Sequence, residues 1–263
     1  MADLFYPQLR TGAIAHYPIR KTSLTRTVAN VVPGGSVLMY PDDPARRISW
    51  SWDYVGLTLA EVGTVQNFFS SCNGPLRPFT FLDPTGNLLS ASSNFAAPAW
   101  QVSSALKVAG KSVRPFSDTP AVTVVNEGQA SQELSQTLAI PSDYTYCFSI
   151  YVGSATPQSV TLFRRSVHSE QAASFDAGPK WKRIWTSGSL NDDATGFSVG
   201  LKLSAGQQLS ISAAQLEVQP GISPYRDRPE TGDLYPNAHW AMEELAVRHF
   251  GPNNCSISVS IEA

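Results

Sequence analysis

Two stretches dense in proline and glycine constrain this chain more than any other feature. The first, GPLRPFTFLDPTGNLL from Gly74 to Leu89, sets a short apolar strand among Pro75, Pro78 and Pro84. The second, QPGISPYRDRPETGDLYP, carries Pro220, Gly221, Pro224, Pro229, Gly232 and Pro236. Proline fixes φ and removes a backbone donor, and glycine admits turns closed to other residues. Both stretches therefore read as punctuated joints rather than as long continuous elements. The segment after the second stretch ends in NCSISVSIEA, an alternating strand that needs a sheet to join. The simplest sheet is that of the first segment. The expected architecture is a β domain from residues 1–87 plus 225–263, interrupted by an inserted domain over 88–224.

In the first segment, RRISWSWDYVGL alternates with period two. Ile48, Trp50, Trp52 and Tyr54 share one face, and Ser49, Ser51 and Asp53 the other, which predicts a half-buried strand. A helix follows in TLAEVGTVQNFFSSCNG. Thr58 and Glu61 form a capping box, Val62, Val65, Phe69 and Cys72 make the buried stripe, and Gly74 is placed to end it in a left-handed conformation. LRPFTFLDP returns as a short strand, at an edge or turning into one because of Pro78. The stretch before Ile48 reads as short extended pieces broken by prolines. AMEELAVRHF fits a short helix or a strand.

Between the two punctuated stretches the pattern is a series of strands: PAVTVVN, SQELSQTLAI, YTYCFSIYV, SVTLFRR, KWKRIWTSG, GFSVGLKLS and QQLSISAAQLEV. In YTYCFSIYV, Tyr144, Tyr146, Phe148, Ile150 and Val152 fall on one face. Such spacing with polar turns predicts a jelly-roll β-sandwich. Only 15% of residues are charged, against roughly 25% in an average globular chain, so neutral polar groups must solvate much of the surface. A net charge of −2 gives no field for nucleic acid. No apolar run reaches bilayer length, and MADLFYPQLR lacks a signal pattern, so synthesis in the cytoplasm without membrane insertion is expected. Cys72, Cys147 and Cys255 are widely spaced, which predicts buried free thiols.

No catalytic constellation is present. The four histidines lack metal-ligand spacing, and there is no GxSxG, P-loop or GxGxxG. The adjacent acid pairs Asp42–Asp43, Asp192–Asp193 and Glu243–Glu244 do not suit a glycosidase, whose carboxylates face each other across a bond. DPTGN and NDDATG lack a full calcium-loop pattern, and ordinary turns are the expectation. No cofactor is expected. The aromatic residues of the insert are the candidate glycan contacts: Trp100, Tyr151, Trp181 and Trp185, with Arg183. Trp181, Arg183 and Trp185 share strand parity and form either a sugar platform or core packing beneath the opposite sheet, the latter being favoured. Tyr151 lies opposite the apolar face of its strand and is expected to be exposed. Arg20, Lys21, Arg26, Arg46 and Arg47 occupy extended pieces and are candidates for a subunit interface rather than for a nucleic-acid groove.

The order FYPQLRTGAIAHYPIRK, RRISWSWDYVGLTLAEVGTVQNFF, GPLRPFTFLDP resembles phage tail proteins of the distal-tail and minor-tail type. DLYPNAHW…GPNNCSISVSIEA resembles their return strand. YTYCFSIYV, KWKRIWTSGSL and LSISAAQLEVQPGISPY resemble the carbohydrate-binding-like jelly rolls common in tail and tail-fibre proteins, with Ala213 where glycine is usual. The resemblance implies a structural virion component at the tail tip. It would form a ring, often of six copies, that joins the tail tube to tail-tip or hub proteins. The inserted sandwich would project outward to touch host surface polysaccharide or merely decorate the ring. A carbohydrate-binding adhesion protein acting mainly through the insert is the alternative. An enzyme such as a depolymerase would need an acid/base pair that the sequence does not supply.

Overall fold

The computed structural model describes residues 4–112, 119–228 and 230–263, so Pro229 of the second punctuated stretch lies outside it. In chain order the described elements begin with β1 (Arg20–Val31), β2 (Val37–Leu57), helix α1 (Leu59–Ser71) and β3 (Phe79–Leu82). Then come β4 (Gln101–Val102), β5 (Leu106–Ser112), β6 (Ala121–Asn126), β7 (Gln132–Pro141), β8 (Tyr146–Gly153) and β9 (Gln158–Arg165). β10 (Glu170–Ala177), β11 (Lys182–Gly188), β12 (Thr195–Leu203) and β13 (Gln208–Glu217) follow. β14 (Leu234–Trp240), β15 (Val247–Gly251) and β16 (Asn254–Glu262) complete the chain. The protein is mainly β, with α1 the one α-helix among the described residues.

Contacts divide the chain into two compact units. The first comprises Met1–Leu9, Ala15–Phe81 and Tyr235–Ala263, and the second Arg10–Ile14 and Leu82–Leu234. The second unit thus starts before and ends after the expected 88–224, and it takes Arg10–Ile14 from the first segment.

In the first unit the sheet order is β1-β2-β16-β14-β3, with β15 beside β16. Trp50, Trp52 and Tyr54 of β2 are buried on one face, as their alternation requires. The core is aromatic. The Tyr6 ring lies 5.7 Å from Trp52, 5.6 Å from Phe68, 5.7 Å from Phe81 and 5.5 Å from Trp240. The backbone around Tyr6 also pairs with β3: Tyr6 N donates to Thr80 O at 3.0 Å, and Thr80 N to Leu4 O at 2.7 Å. That edge of the sheet is therefore covered. α1 carries the full capping box, with Glu61 N donating to Thr58 Oγ1 at 3.3 Å and Thr58 N to Glu61 Oε2 at 3.0 Å. Asn73, one residue before the expected glycine, takes the left-handed position after the helix at φ 53°, and Gly74 continues it at φ 59°. β15 forms where a helix or strand was expected, and β1 is a single twelve-residue strand rather than short pieces.

The second unit is an antiparallel sandwich of two five-stranded sheets, β11-β8-β13-β6-β5 and β10-β9-β12-β7-β4. Their inner faces meet at pairs such as Tyr146 and Phe197, whose rings lie 4.5 Å apart. The strands not foreseen in the sequence are β4, β5 and β10. β10 reads EQAASFDA, pairs only with β9 among the described strands, and buries only its last residue, so it carries little of the apolar alternation that marks a strand.

The ends of this unit are tied by Asn87, which is fully buried. Its Oδ1 accepts from Leu89 N at 3.2 Å and Leu216 N at 3.0 Å. Its amide donates to Ala214 O at 3.0 Å and Arg226 O at 3.1 Å. Its backbone N donates to Asp233 Oδ2 at 2.9 Å, and its carbonyl accepts from Asp233 N at 2.9 Å. The two segments approach so closely that a Cβ at Gly86 would collide with Asp233, and one at Gly232 with the Leu88 carbonyl.

On the outer face of the β10–β4 sheet, Phe163 is buried beneath two cations, with Arg165 4.5 Å and Lys202 5.1 Å from its ring centre. Arg165 donates to both oxygens of Glu133 at 2.9 and 2.7 Å and reaches Glu170 at 2.5 Å. Lys202 bridges the same two carboxylates at 3.3 and 2.6 Å. Hydrogen bonds from Arg165 hold the Glu133 carboxyl below its ordinary value. Partial burial raises that of Glu170, but the bonds from Lys202 and Arg165 outweigh it, so it too is lowered.

Two predictions follow from this packing. Ala213 sits in the bulge where β13 shifts register between Ser212 and Gln215, at φ 55°. A Cβ there is strained, so Ala213→Gly should stabilise the protein by about 1 kcal/mol in urea unfolding, and a loss of stability would refute the strain. The depressed values of Glu133 and Glu170 contribute stability that is present above their unfolded range and is lost as pH falls through the folded values. Glu133→Gln should therefore flatten the fall in unfolding midpoint between about pH 5 and 3, modestly because the cluster is partly solvated.

Candidate functional site

The candidate glycan contacts divide. Trp100 is buried at 5% exposure, packs 5.0 Å from Phe95, and donates its indole N–H to Ala91 O at 3.0 Å. It is a core residue and leaves the set. Its segment shows no strand alternation, so nothing in the sequence told its two environments apart.

The other four share the outer face of the β11–β5 sheet. On β8 the inward face is Tyr146, Phe148, Ile150 and Val152, all buried, which turns Tyr151 outward. Register pairs Arg183 with Tyr151 and Trp185 with Ser149, so both β11 side chains are outward too. Core packing was the favoured expectation for Trp185, and the structure overturns it: the residue is 44% exposed, because Ile184 and not Trp185 faces the opposite sheet. Trp181 precedes β11 and is half-buried, with its ring over Gly153, where an added Cβ would meet it at 3.2 Å. Tyr151 is half-buried rather than exposed, because Arg183 lies over it with the guanidinium carbon 5.7 Å from the ring centre. Trp181 and Trp185 stand about 13 Å apart along the edge strand, at roughly 3.3 Å per residue.

The rest of this face is closed by the chain leaving β13. Arg183 donates to Ser149 Oγ at 2.8 Å and to Ser223 O at 2.5 Å. Glu217, fully buried on its side chain, lies 3.9 Å from both Arg183 and Arg226 and accepts from Ser223 N at 3.1 Å. Gln215 Oε1 accepts from Arg226 N at 2.7 Å. Residues 219–226 thus cover Cys147, Ser149, Gln215 and Glu217. Burial, with the Glu217 charge, pushes the Cys147 thiol up to about 12, so it has no thiolate character at neutral pH. The face therefore has a sealed polar half and an open aromatic half. Its nearest carboxylate is tied beneath the covering segment. The arrangement can stack flat apolar surfaces, and among the described residues it holds no acid and base aimed at a common point.

The candidate interface residues lie in the first unit. All five are exposed, along the β1–β2 ribbon or at its base. Arg26 pairs with Asp42 at 3.5 Å. Lys21 lies 5.4 Å from the Trp50 ring centre and 5.9 Å from that of Tyr235. Arg46 sits where β2 holds extra residues, between the pairs Leu24–Arg47 and Arg26–Asp42, and Arg47 is paired with Leu24. Sequence reasoning missed the larger feature, the ribbon itself. Every residue of β1 is exposed, and Val31, Val37, Leu38, Met39 and Tyr40 are between 45% and 73% exposed. The signal was VVPGGSV, a tight turn between two β-branched runs.

No family model and no curated protein matches the chain. Among solved structures it is similar to the C-terminal family 22 carbohydrate binding module of Clostridium thermocellum Xyn10B, at 18% identity over 54% of this chain and 99% of that one, with a TM-score of 0.44. It is similar to a CBM4 structure at 15% identity, covering 52% of this chain and 96% of that one, with a TM-score of 0.39. It is also similar to the enzymatically active domain of Bacteriophage CBA120 tailspike protein 4, at 13% identity, covering 52% of this chain but 22% of that one, with a TM-score of 0.40.

Proposed function

We propose that the protein is a non-catalytic structural component of a phage or phage-like tail tip. Its first unit assembles with further copies into a ring joined to tube and hub proteins, and its sandwich contacts surface glycans. The observation that carries this reading is the bare β1–β2 ribbon. An isolated two-stranded hairpin is marginal in water, and five large apolar side chains near its tip have no cover. Such a surface calls for a partner. The resemblance of FYPQLRTGAIAHYPIRK and RRISWSWDYVGLTLAEVGTVQNFF to distal-tail proteins supplies the setting.

A second reading, an adhesion protein acting mainly through the sandwich, is favoured by the exposed Trp185 beside Trp181 and Tyr151. Aromatic faces of this kind stack on sugar rings.

Light scattering on the purified protein, followed by imaging, tests the assembly. A closed species of several copies is expected, and a monomer at all concentrations would sink the ring. A glycan array tests the sandwich. Binding should be lost about tenfold in Trp185→Ala, the loss of one stacked ring, with unfolding stability unchanged to about 0.5 kcal/mol. Equal binding by both proteins would remove the aromatic face from the reading.

A further inference from the structure

The geometry points to a slot for an extended peptide on the sandwich, at the edge of β7 that β4 leaves open; it stands apart from both the ring and the aromatic face. β4 pairs with β7 over two residues, Gln101 with Ser135 and Val102 with Leu134. Just beyond, Ser103 N donates to Glu133 O at 3.0 Å, and Glu133 N donates to Ser103 Oγ at 3.1 Å. The backbone groups of Glu133 therefore point to the β4 side. With the period of two along a strand, those of Ser135 and Thr137 point there as well. A strand continued back from Gln101 would set Ala99 opposite Thr137. The chain turns away instead. Trp100 N donates to Ala97 O at 3.0 Å, and the Trp100 indole is anchored in the core on Ala91 O. Among the described residues nothing bonds the outward N–H and C=O of Thr137.

Thr137 lines a cavity of about 490 Å³. Thr231 and Gly232 also line it, and Leu88 and Leu138 give it apolar surface. These segments are pinned. Gln136 Oε1 accepts from Ser90 N at 2.9 Å, and its Nε2 donates to Ser90 O at 2.9 Å, which ties β7 to the segment carrying Leu88. Gly232 lies too close to the Leu88 carbonyl for a Cβ. A slot held in this way needs little ordering when it is filled.

The chemistry of the slot selects the occupant. An N–H and a C=O pointing the same way from one residue are half of an antiparallel pair, which one residue of an extended chain completes with two hydrogen bonds. The peptide residues on either side of it turn to the face of Leu138, so small apolar side chains fit there. Glu230 is the one charged residue lining the slot, which favours a neutral or basic peptide over an acidic one. None of the lining residues is aromatic, so a sugar ring has nothing to stack on. The ladder with β12 shifts register between Leu138 and Pro141, so the regular edge ends there and the slot takes about three residues.

Capped seven-residue peptides with valine at the third and fifth positions and lysine at one end are arrayed and probed with the full-length protein. The best binder is then remade with an N-methyl group at each backbone nitrogen in turn. Binding should fall about tenfold, the worth of one net hydrogen bond, at one residue or at alternate residues, while the residues between tolerate the change. Thr137→Pro removes the outward N–H and leaves the ladder to β12 intact, so it should weaken the same peptide about tenfold. If that variant does not fold, hydrogen exchange on the unaltered protein decides: the peptide should protect the Thr137 amide, and an unchanged exchange rate would overturn the slot. No peptide bound at millimolar concentration, or binding indifferent to N-methylation at every position, would overturn it too. Binding indifferent to Thr137→Pro would place the peptide elsewhere, with the same consequence. A neutral oligosaccharide whose binding is lost in Thr137→Pro but kept in Trp185→Ala would assign the slot to a sugar instead.

Discussion

A single buried asparagine sets how the second unit closes. Asn87 uses both lone pairs of its carbonyl and both amide hydrogens, and it binds three separate pieces of backbone: its own segment, β13 and the segment before β14. An amide buried without those partners would be costly, and with them it holds the entering and leaving segments together. Gly86 and Gly232 follow from that requirement, because neither place has room for a Cβ. The glycines of PTGN and ETGD are therefore close-approach residues as well as turn formers. A unit whose two ends are pinned side by side by its own residues suits insertion into another chain segment, since the host must bridge almost no gap.

Alternation in RRISWSWDYVGL reports burial on one face, and Trp50, Trp52 and Tyr54 are buried as read; in YTYCFSIYV the inward face is also as read, but Cys147 and Ser149 on the other face are buried too. The Thr58–Glu61 box is a local chemical signal and sits where it was placed. β10 was missed because its Ala, Ser and Gln face solvent on nearly every position, so no periodic burial is written into it. Ala213 was noticed only as a departure from glycine; its φ of 55° in a bulge gives the reason.

The aromatic residues show the limit of parity. Strand spacing correctly put Trp181, Arg183 and Trp185 on one face, but parity cannot say which face is inside. The discriminating information lay on the neighbouring strand: Tyr146, Phe148, Ile150 and Val152 claim the interior, and the register then sends Trp185 to solvent. Trp100 had no strand around it, and its place in the core depends on Ala91 and Phe95, contacts made by a loop. The ribbon was missed for a related reason. Exposed apolar strands look like core strands until a structure shows that nothing covers them.

The two units handle charge in opposite ways, and this bears on what each can bind. In the sandwich the cations near the candidate faces are engaged at home: Arg165 and Lys202 by Glu133 and Glu170, Arg183 and Arg226 by Glu217, Arg228 by Asp233. An aromatic face whose neighbouring guanidinium is already tied to Ser149 and Ser223 has little left with which to hold an anion. On the glycan-contact reading proposed above, the ligand would be a neutral sugar, recognised by ring faces and hydroxyls. In the first unit the signs are separated along the chain, with most cations on the β1–β2 ribbon and most carboxylates on the rest. Separated charge of that kind adds little to a monomer's stability; on the assembly reading proposed above it would act by orienting the encounter between copies.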